Sequence, residues 1–399
     1  MPVLHPDKPD KTLLRAGVTL TDATIERLRQ ICCREVWIRF PGMDCVGAFV
    51  SPAVQAAHGA VTGHIARAFD RLTREVDPDL SYASYKSAVA TLVAKLTENP
   101  RANLFIHEML DSEVNGLRHA GNVALLSVLI GLKLDFYLVT ERARLAAQHA
   151  RDVTALGVGA MFHDIGMLRL DQPIRERWER TRDDADEEWQ RHVRIGYRMV
   201  YGHLEPAATA VVLNHHQRFD GSGFPVSKNS SGITRVVSGR DIHVFARIVA
   251  AADLFDHLRY PVEGAPPVPA VRVLRTMQQA PYRRWIDPVV MMALLNVVPP
   301  YAPGSIVRLS TQQWAAVADW DPTAPCRPIV EAMPEGVEDP SRYDGPTDRI
   351  DLRHRPDWTV IEAEGQRVAE QNFYPDPKEL DLTRLARSME NAAIGMGHA

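Results

Sequence analysis

Between residues 119 and 253, five histidines and two aspartates fall on the apolar faces of helical segments. No other feature of the chain restricts its fold as much. His119 shares a face with Val123, Leu126 and Ile130, at the i, i+4, i+7, i+11 spacing of a helical stripe. His163 and Asp164 end a helix whose face includes Leu156 and Ala160, and His192 lines up with Trp189, Val193, Gly196 and Val200. His215 and His216 follow Ala208, Val211 and Val212 on a helix that Pro206 can start. Asp253 is flanked by Val249, Ala252 and Asp256. Apolar faces turn inward, where an unpaired polar group is costly. A helical bundle that turns these faces together gathers five imidazoles and two carboxylates in its core.

Nitrogen and oxygen donors without a thiolate suit Fe, Mn or Zn. Seven ligands exceed one ordinary site, whereas two divalent ions sharing a carboxylate would use them all. Each residue alone has a plainer reading. His119 or His192 could be a satisfied core histidine, and His163–Asp164 a hydrogen-bonding pair at a helix end. His215–His216 could be a solvated helix end, and Asp253 could bond a backbone amide. The joint pattern favours metal ligation over seven separate coincidences.

The rest of the chain narrows the class. Its 399 residues suffice for two or three domains, and 45% hydrophobic with 24% charged residues is an ordinary soluble composition. A net charge of −4 excludes the basic footprint of general nucleic-acid binding. Cys32, Cys33, Cys45 and Cys326 form no disulfide framework or CxxC site, which points to a reducing, cytoplasmic setting. "MPVLHPDKPDK" lacks the apolar core of a signal peptide. The longest apolar run, "NVALLSVLIGLKLDF", is interrupted by Lys133 and is shorter than a span of about 20 residues. No membrane span is expected.

The expected fold is mainly α. Residues 1–53 read as a small α/β unit, with Thr19 or Thr21 capping the helix in "TLTDATIERLRQI" and "REVWIRF" a strand closed by Pro41–Gly42. Residues 54–299 read as helical, with breakers at Asn99–Pro100, Gly131 and Pro206. In 300–365, "GSIVRLS", "WAAVADW", "RPIVEAM" and "RIDLRH" predict a small β-rich appendage, and 366–399 a tail.

Taken together, these residues resemble the HD-GYP family, a branch of the HD phosphohydrolase superfamily. "HDIGM" is similar to the family's HD-x-G-K signature and "HHQRFDGSGFP" to its HHE-x-x-DGSGYP signature. "ARIVAAADLFDHL" resembles its later segment, in which a second aspartate follows the alanine–aspartate pair by one turn. The likeness covers residues 110 to 300. It implies an HD-type helical bundle around a two- or three-metal site and a cyclic-di-GMP phosphodiesterase. It also implies the ligand set: His119, His163, Asp164 and Asp253 for one ion, with Asp164 bridging to a second held by His192, His215 and His216. His163 and Asp164 are then the catalytic pair. The chemistry expected of two close cations is a water acidified to hydroxide near neutral pH, attacking a phosphodiester phosphorus in line. The product would be the linear dinucleotide, with further cleavage to GMP left open. Gly221 and Gly223 permit backbone angles that other residues resist, and Asp220 is read as bonding the turn's own amides.

The chain departs from the pattern mainly where substrate would sit. Met167 replaces the signature lysine, a phosphate contact in the family, and Arg169, Lys228, Arg235 or Arg240 are the candidate substitutes. Asn115 stands where three-metal members have a glutamate, and Glu113 lies off that face, so two ions are expected. Phe224 replaces the tyrosine of the signature, the loop after Pro225 is long, and Arg259 is the nearest basic residue to the later phosphate-binding run. Gly223, Phe224, Pro225, Arg235, Arg240 and Arg259 are therefore the candidate substrate contacts. The alternatives are a phosphohydrolase for another cyclic dinucleotide or small nucleotide, and a sensor or docking module without turnover. A signalling-protein partner or a homodimer stays open.

Overall fold

The computed structural model describes residues 3–5, 8–15, 18–31, 36, 47, 49, 51–75, 81–101, 115–228, 234–261, 266–340, 343–376, 378, 380–382, 384–385 and 387–388. The predicted strand at 34–40 with Pro41–Gly42 therefore lies outside the described residues except Val36, as do Glu113, Cys32, Cys33 and Cys45. The N-terminal segment holds an antiparallel hairpin, β1 (Val3–His5) with β2 (Lys8–Leu14), and helix α1 (Asp22–Gln30). Of the two threonines read as caps, Thr21 is the one used: its side chain accepts from the Thr24 amide.

Helices dominate the next 250 residues. α2 (Pro52–Arg74) starts at a Ser51 cap with proline in its first turn and buries Val54, Ala57, Val61, Ile65, Ala68 and Leu72 along one stripe. Each large side chain in that stripe contributes about 1.5–3 kcal/mol by leaving water. The stripe meets α3 (Tyr82–Glu98), which buries Tyr85, Val89, Leu92 and Leu96, and α4 (Asn115–Lys133). α4 is buried almost all round from Ala120 to Gly131, as expected of a central helix. Gly131 was read as a breaker and is not one. α4 runs through it, and a Cβ there would press on Leu156 and Val153, so its smallness lets the chain around 153–156 approach.

α5 (Asp135–Glu141) and α6 (Ala147–Ala150) lead to α7 (Thr154–Met161), in which every residue is buried between α4, α3 and α10 (Pro206–Asn214). Between them lie a 3-10 turn at Ile165–Arg169, α8 (Gln172–Thr181) and α9 (Glu187–Val200). α11 (Val244–Arg259), α12 (Ala270–Met277), α13 (Tyr282–Trp285) and α14 (Pro288–Val297) complete the bundle. Among the described residues no single helix is long and apolar enough to cross a membrane.

Strands form in all four C-terminal segments read as β: β5 (Ile306–Leu309), β6 (Trp314–Asp319), β7 (Ile329–Ala332) and β8 (Asp348–Asp351), after the two-residue pair β3 (Ser227–Lys228) and β4 (Thr234–Arg235). β9 (Val360–Ala363) and β10 (Gln366–Arg367) were not anticipated. They complete a six-stranded antiparallel sheet in the order β10-β9-β5-β6-β7-β8. The sheet thus runs past residue 365, and Phe373 and Leu380 beyond it are buried. Its apolar residues join the same continuous core as the bundle.

Candidate metal centre

The seven side chains singled out in the sequence converge from α4, the α7 end, α9, the α10 end and α11 into two adjoining groups. His119, His163 and Asp253 form one; Asp164, His192, His215 and His216 form the other, with donor atoms in each group within 4.8 Å of one another. Asp164 faces both. Its Oδ2 lies 3.7 Å from the Nε2 atoms of His119 and His163, and its Oδ1 lies 3.3 and 3.4 Å from those of His192 and His215.

Local structure fixes how each imidazole points. The chain leaves α7 at Met161 and α10 at Asn214, so His163 and His215 sit where backbone carbonyls of the last turn are free. His163 Nδ1 donates to Ala160 O at 2.8 Å, His192 Nδ1 to Trp189 O at 2.7 Å and His215 Nδ1 to Val212 O at 3.1 Å. A carbonyl only accepts, so each ring carries its proton on Nδ1 and turns a bare Nε2 inward. His119 Nδ1 donates instead to Asp256 Oδ2 at 2.8 Å, while Asp256 Oδ1 accepts from Asn122 at 2.7 Å.

These donors fit metal ions. Among the described residues the buried Nε2 atoms of His192, His215 and His216 and Asp164 Oδ1 find no hydrogen-bond partner, an arrangement that is costly unless something positive meets them. The Nε2 atoms of His119 and His163 face each other at 3.1 Å. With both Nδ1 atoms already donating, that contact is favourable only around a proton or a cation. The field has the same sign: burial opposes charge on His119, yet Asp253 and Asp256 raise its pKa to about 10. Burial also opposes charge on Asp164 and Asp253, but the surrounding imidazoles hold both well below the usual carboxylate range. Burial keeps His215 and His216 neutral, the form that ligates.

Close backbone packing sets the two groups side by side. A Cβ on Gly166 would overlap His192 O and come within 2.6 Å of the Gly196 amide, so the turn carrying Asp164 can lie directly on α9. In the segment after His216, Gly221 adopts φ +83°, as a glycine-rich turn requires. Gly223 is needed for a different reason from the one expected: a Cβ there would strike His216 O and the Arg218 amide. Asp220 accepts from the Ser222 amide and hydroxyl at 2.9 and 2.7 Å, the turn-bracing role read from the sequence.

The structure redistributes the substrate candidates. Phe224 is buried and stacked on His216 with ring centroids 4.6 Å apart, and it also meets Trp189 edge-on, so it braces a ring of the cluster. The carbonyl of Pro225 accepts from Gln217 at 2.8 Å. Arg259 is not a free cation: it is buried at the end of α11, bonded to Val268 O and paired with Glu364 at 2.6 Å, where it ties the bundle to the sheet. Arg240 pairs with Glu141 at 2.6 Å, beside the buried Arg247 that also reaches Asp287. Arg169 donates to Glu75 O at 2.6 Å. The side chains of Arg235, Lys228 and Asn115 lie outside the described residues, although strand β4 contains Arg235. Met167 packs against the buried cluster of Leu170, Ile174, Trp189, Val193 and Phe224, as does Trp178. A cavity of about 550 Å³ lies elsewhere, lined among others by Glu141, Arg142, Arg144, Glu205 and His243, and three of its charged groups are engaged. Glu141 serves Arg240 and Arg247, Glu205 binds Tyr82 and Arg142 binds three carbonyls.

Several residues of the site were not singled out. Asp256 orients His119, and its signal was its position one turn after Asp253. His257 sets its Nδ1 2.9 Å from Asp253 Oδ1, and Trp178 stacks on Trp189 at 3.7 Å with its edge toward His257. Neither had a signal that separates it from ordinary core packing.

Residues 136–290, which contain six of the seven converging side chains, match the HD domain family. The chain is 25% identical to a cyclic di-GMP phosphodiesterase of Pseudomonas aeruginosa, across 84% of each chain. It is 32% identical to a cyclic di-GMP phosphodiesterase response regulator of Xanthomonas campestris, over 30% of each. It is 30% identical to a 3'3'-cGAMP-specific phosphodiesterase of Vibrio cholerae, over 35% of this chain and 29% of that one. The match thus spans most of the first relative and less than a third of the other two. With the two signature segments set around a common histidine–aspartate cluster, the chain carries an HD domain of the HD-GYP type.

Proposed function

We propose that this chain is a metal-dependent phosphodiesterase that opens cyclic-di-GMP to the linear dinucleotide. The observation that carries the reading is Asp164, whose two oxygens face two separate sets of imidazoles. Such a carboxylate suits two divalent ions, iron or manganese ahead of zinc, with His119, His163 and Asp253 on one side and His192, His215 and His216 on the other. Divalent ions held there would make hydroxide accessible near neutral pH and neutralise charge on phosphoryl oxygens. The protein's own part is preorganisation. Carbonyls of Ala160, Trp189 and Val212 and the Asp256 carboxylate hold four rings in one tautomer and orientation. Trp178, Trp189 and Phe224 wall the cluster with apolar surface. The cyclic di-GMP phosphodiesterases among its relatives support the substrate. Further cleavage to GMP would repeat the same chemistry.

A second reading, another cyclic dinucleotide as substrate, is favoured by the 3'3'-cGAMP-specific relative and by Met167 in place of a cation. One experiment tests both. The protein is purified anaerobically with iron or manganese, its metal content is measured, and it is incubated with each cyclic dinucleotide before chromatography. Metal-dependent linear dinucleotide from cyclic-di-GMP supports the first reading, and product from another member of the panel alone supports the second. About two bound ions with no product from any of them would overturn both and leave a sensing role.

A further inference from the structure

Arg182 occupies a backbone position that disfavours it. It ends α8 in the left-handed region, at φ 50° and ψ 34°, with its amide donating to Trp178 O at 2.8 Å. Glycine is the usual residue at such a helix end, and a side chain there costs about 1 kcal/mol. A residue kept against that preference is expected to be there for its side chain.

The guanidinium lies over the Trp178 ring, 5.6 Å from its centroid. Trp178 in turn stacks on Trp189 and meets His257, whose Nδ1 approaches Asp253. The arginine therefore stands on the aromatic wall of the metal centre. Among the described residues its buried Nε has no hydrogen-bond partner and the side chain makes no ion pair. Three of the acidic residues that follow it are paired elsewhere, Asp184 with Arg218 and Asp186 and Glu188 with Arg177 at 2.7 Å, while Asp183 accepts from the Ala185 amide. Burial lowers the Arg182 pKa, against the pull of Glu179 and of Asp164, Asp253 and Asp256. A half-buried guanidinium held over an aromatic ring, with a donor left over, matches a phosphoryl oxygen well.

We infer that Arg182 is the cation that meets the non-bridging phosphoryl oxygens of the substrate beside the metal centre. It would supply, over a tryptophan of the apolar cluster against which Met167 also packs, the charge that Met167 does not. The inference rests on the phosphodiesterase reading for the identity of the substrate, but phosphate recognition can be measured apart from turnover.

The test uses the full chain loaded with manganese and titrated with inorganic phosphate, as wild type, Arg182→Gly and Arg182→Lys. Glycine relieves the left-handed backbone, so Arg182→Gly should keep the metal content and melting temperature of the wild type. It should weaken phosphate binding by about tenfold or more, with Arg182→Lys recovering part of the loss. Phosphate affinity unchanged in a metal-replete Arg182→Gly protein would overturn the inference. So would a lowered melting temperature with unchanged phosphate affinity, the mark of a purely structural arginine. If the wild type binds phosphate through Arg182 but hydrolyses no cyclic-di-GMP, the inference stands and the proposed substrate is wrong.

Discussion

His119 and His163 face each other Nε2 to Nε2 at 3.1 Å, each with its other ring nitrogen already donating a hydrogen bond. Two bare lone pairs at that distance repel, so the pair requires a proton or a cation between or beside them, where Asp253 Oδ1 also stands 3.1 Å from His119 Nε2. Asp164 extends the same demand to His192 and His215 on its other side.

Asp164→Asn should therefore disturb both groups at once. Metal content measured by mass spectrometry should fall by more than one ion per chain, and phosphodiesterase turnover by at least about 100-fold. The far-ultraviolet circular dichroism should be unchanged. Full metal content with wild-type turnover would refute the bridging role.

Asp256 is buried, and its two oxygens hold His119 and Asn122. Asp256→Asn keeps the shape and removes the charge that fixes the imidazole. Metal affinity, read by competition with a chelator, should weaken about 10–100-fold without loss of fold. An unchanged affinity would show that His119 needs no outer partner.

Gly166→Ala introduces a methyl group where His192 O and the Gly196 amide lie. The turn carrying Asp164 must then lift off α9. A loss of about 1–3 kcal/mol in unfolding free energy is expected, together with weakened metal binding. Denaturant titration of the two proteins gives the stability, and chelator competition gives the site.

His243 caps α11 by accepting from the Phe245 amide, which requires a neutral ring, and burial with the nearby Arg142 and Arg247 charges depresses its pKa to about 4. The unfolded chain, with a value near 6.5, binds the proton more readily between these limits. Stability should thus fall as pH drops from 6.5 toward 4, by up to about 3 kcal/mol from this group. His243→Asn retains a capping acceptor and should flatten that part of the melting-temperature profile. A profile identical to the wild type across this window would show that His243 does not titrate as argued.

Much of this protein could be read before it was folded. The stripe through His119, Val123, Leu126 and Ile130 obeys helical period, and a bundle must turn such a stripe inward, so convergence of the seven side chains followed from one-dimensional spacing. The four C-terminal strands up to β8 were likewise marked by local composition and turns. Long-range partners were not. Arg259 and Arg240 read as candidate phosphate contacts, but the sheet brings Glu364 to the first and another helix brings Glu141 to the second. Gly131 looked like a break until α7 packed against it. Periodicity is a property of one segment, which neighbours in sequence determine. Whether a charge is spent or free, and whether a glycine bends or yields space, depends on groups from about twenty to about a hundred residues away in the chain, and only the tertiary structure decides which of them arrive.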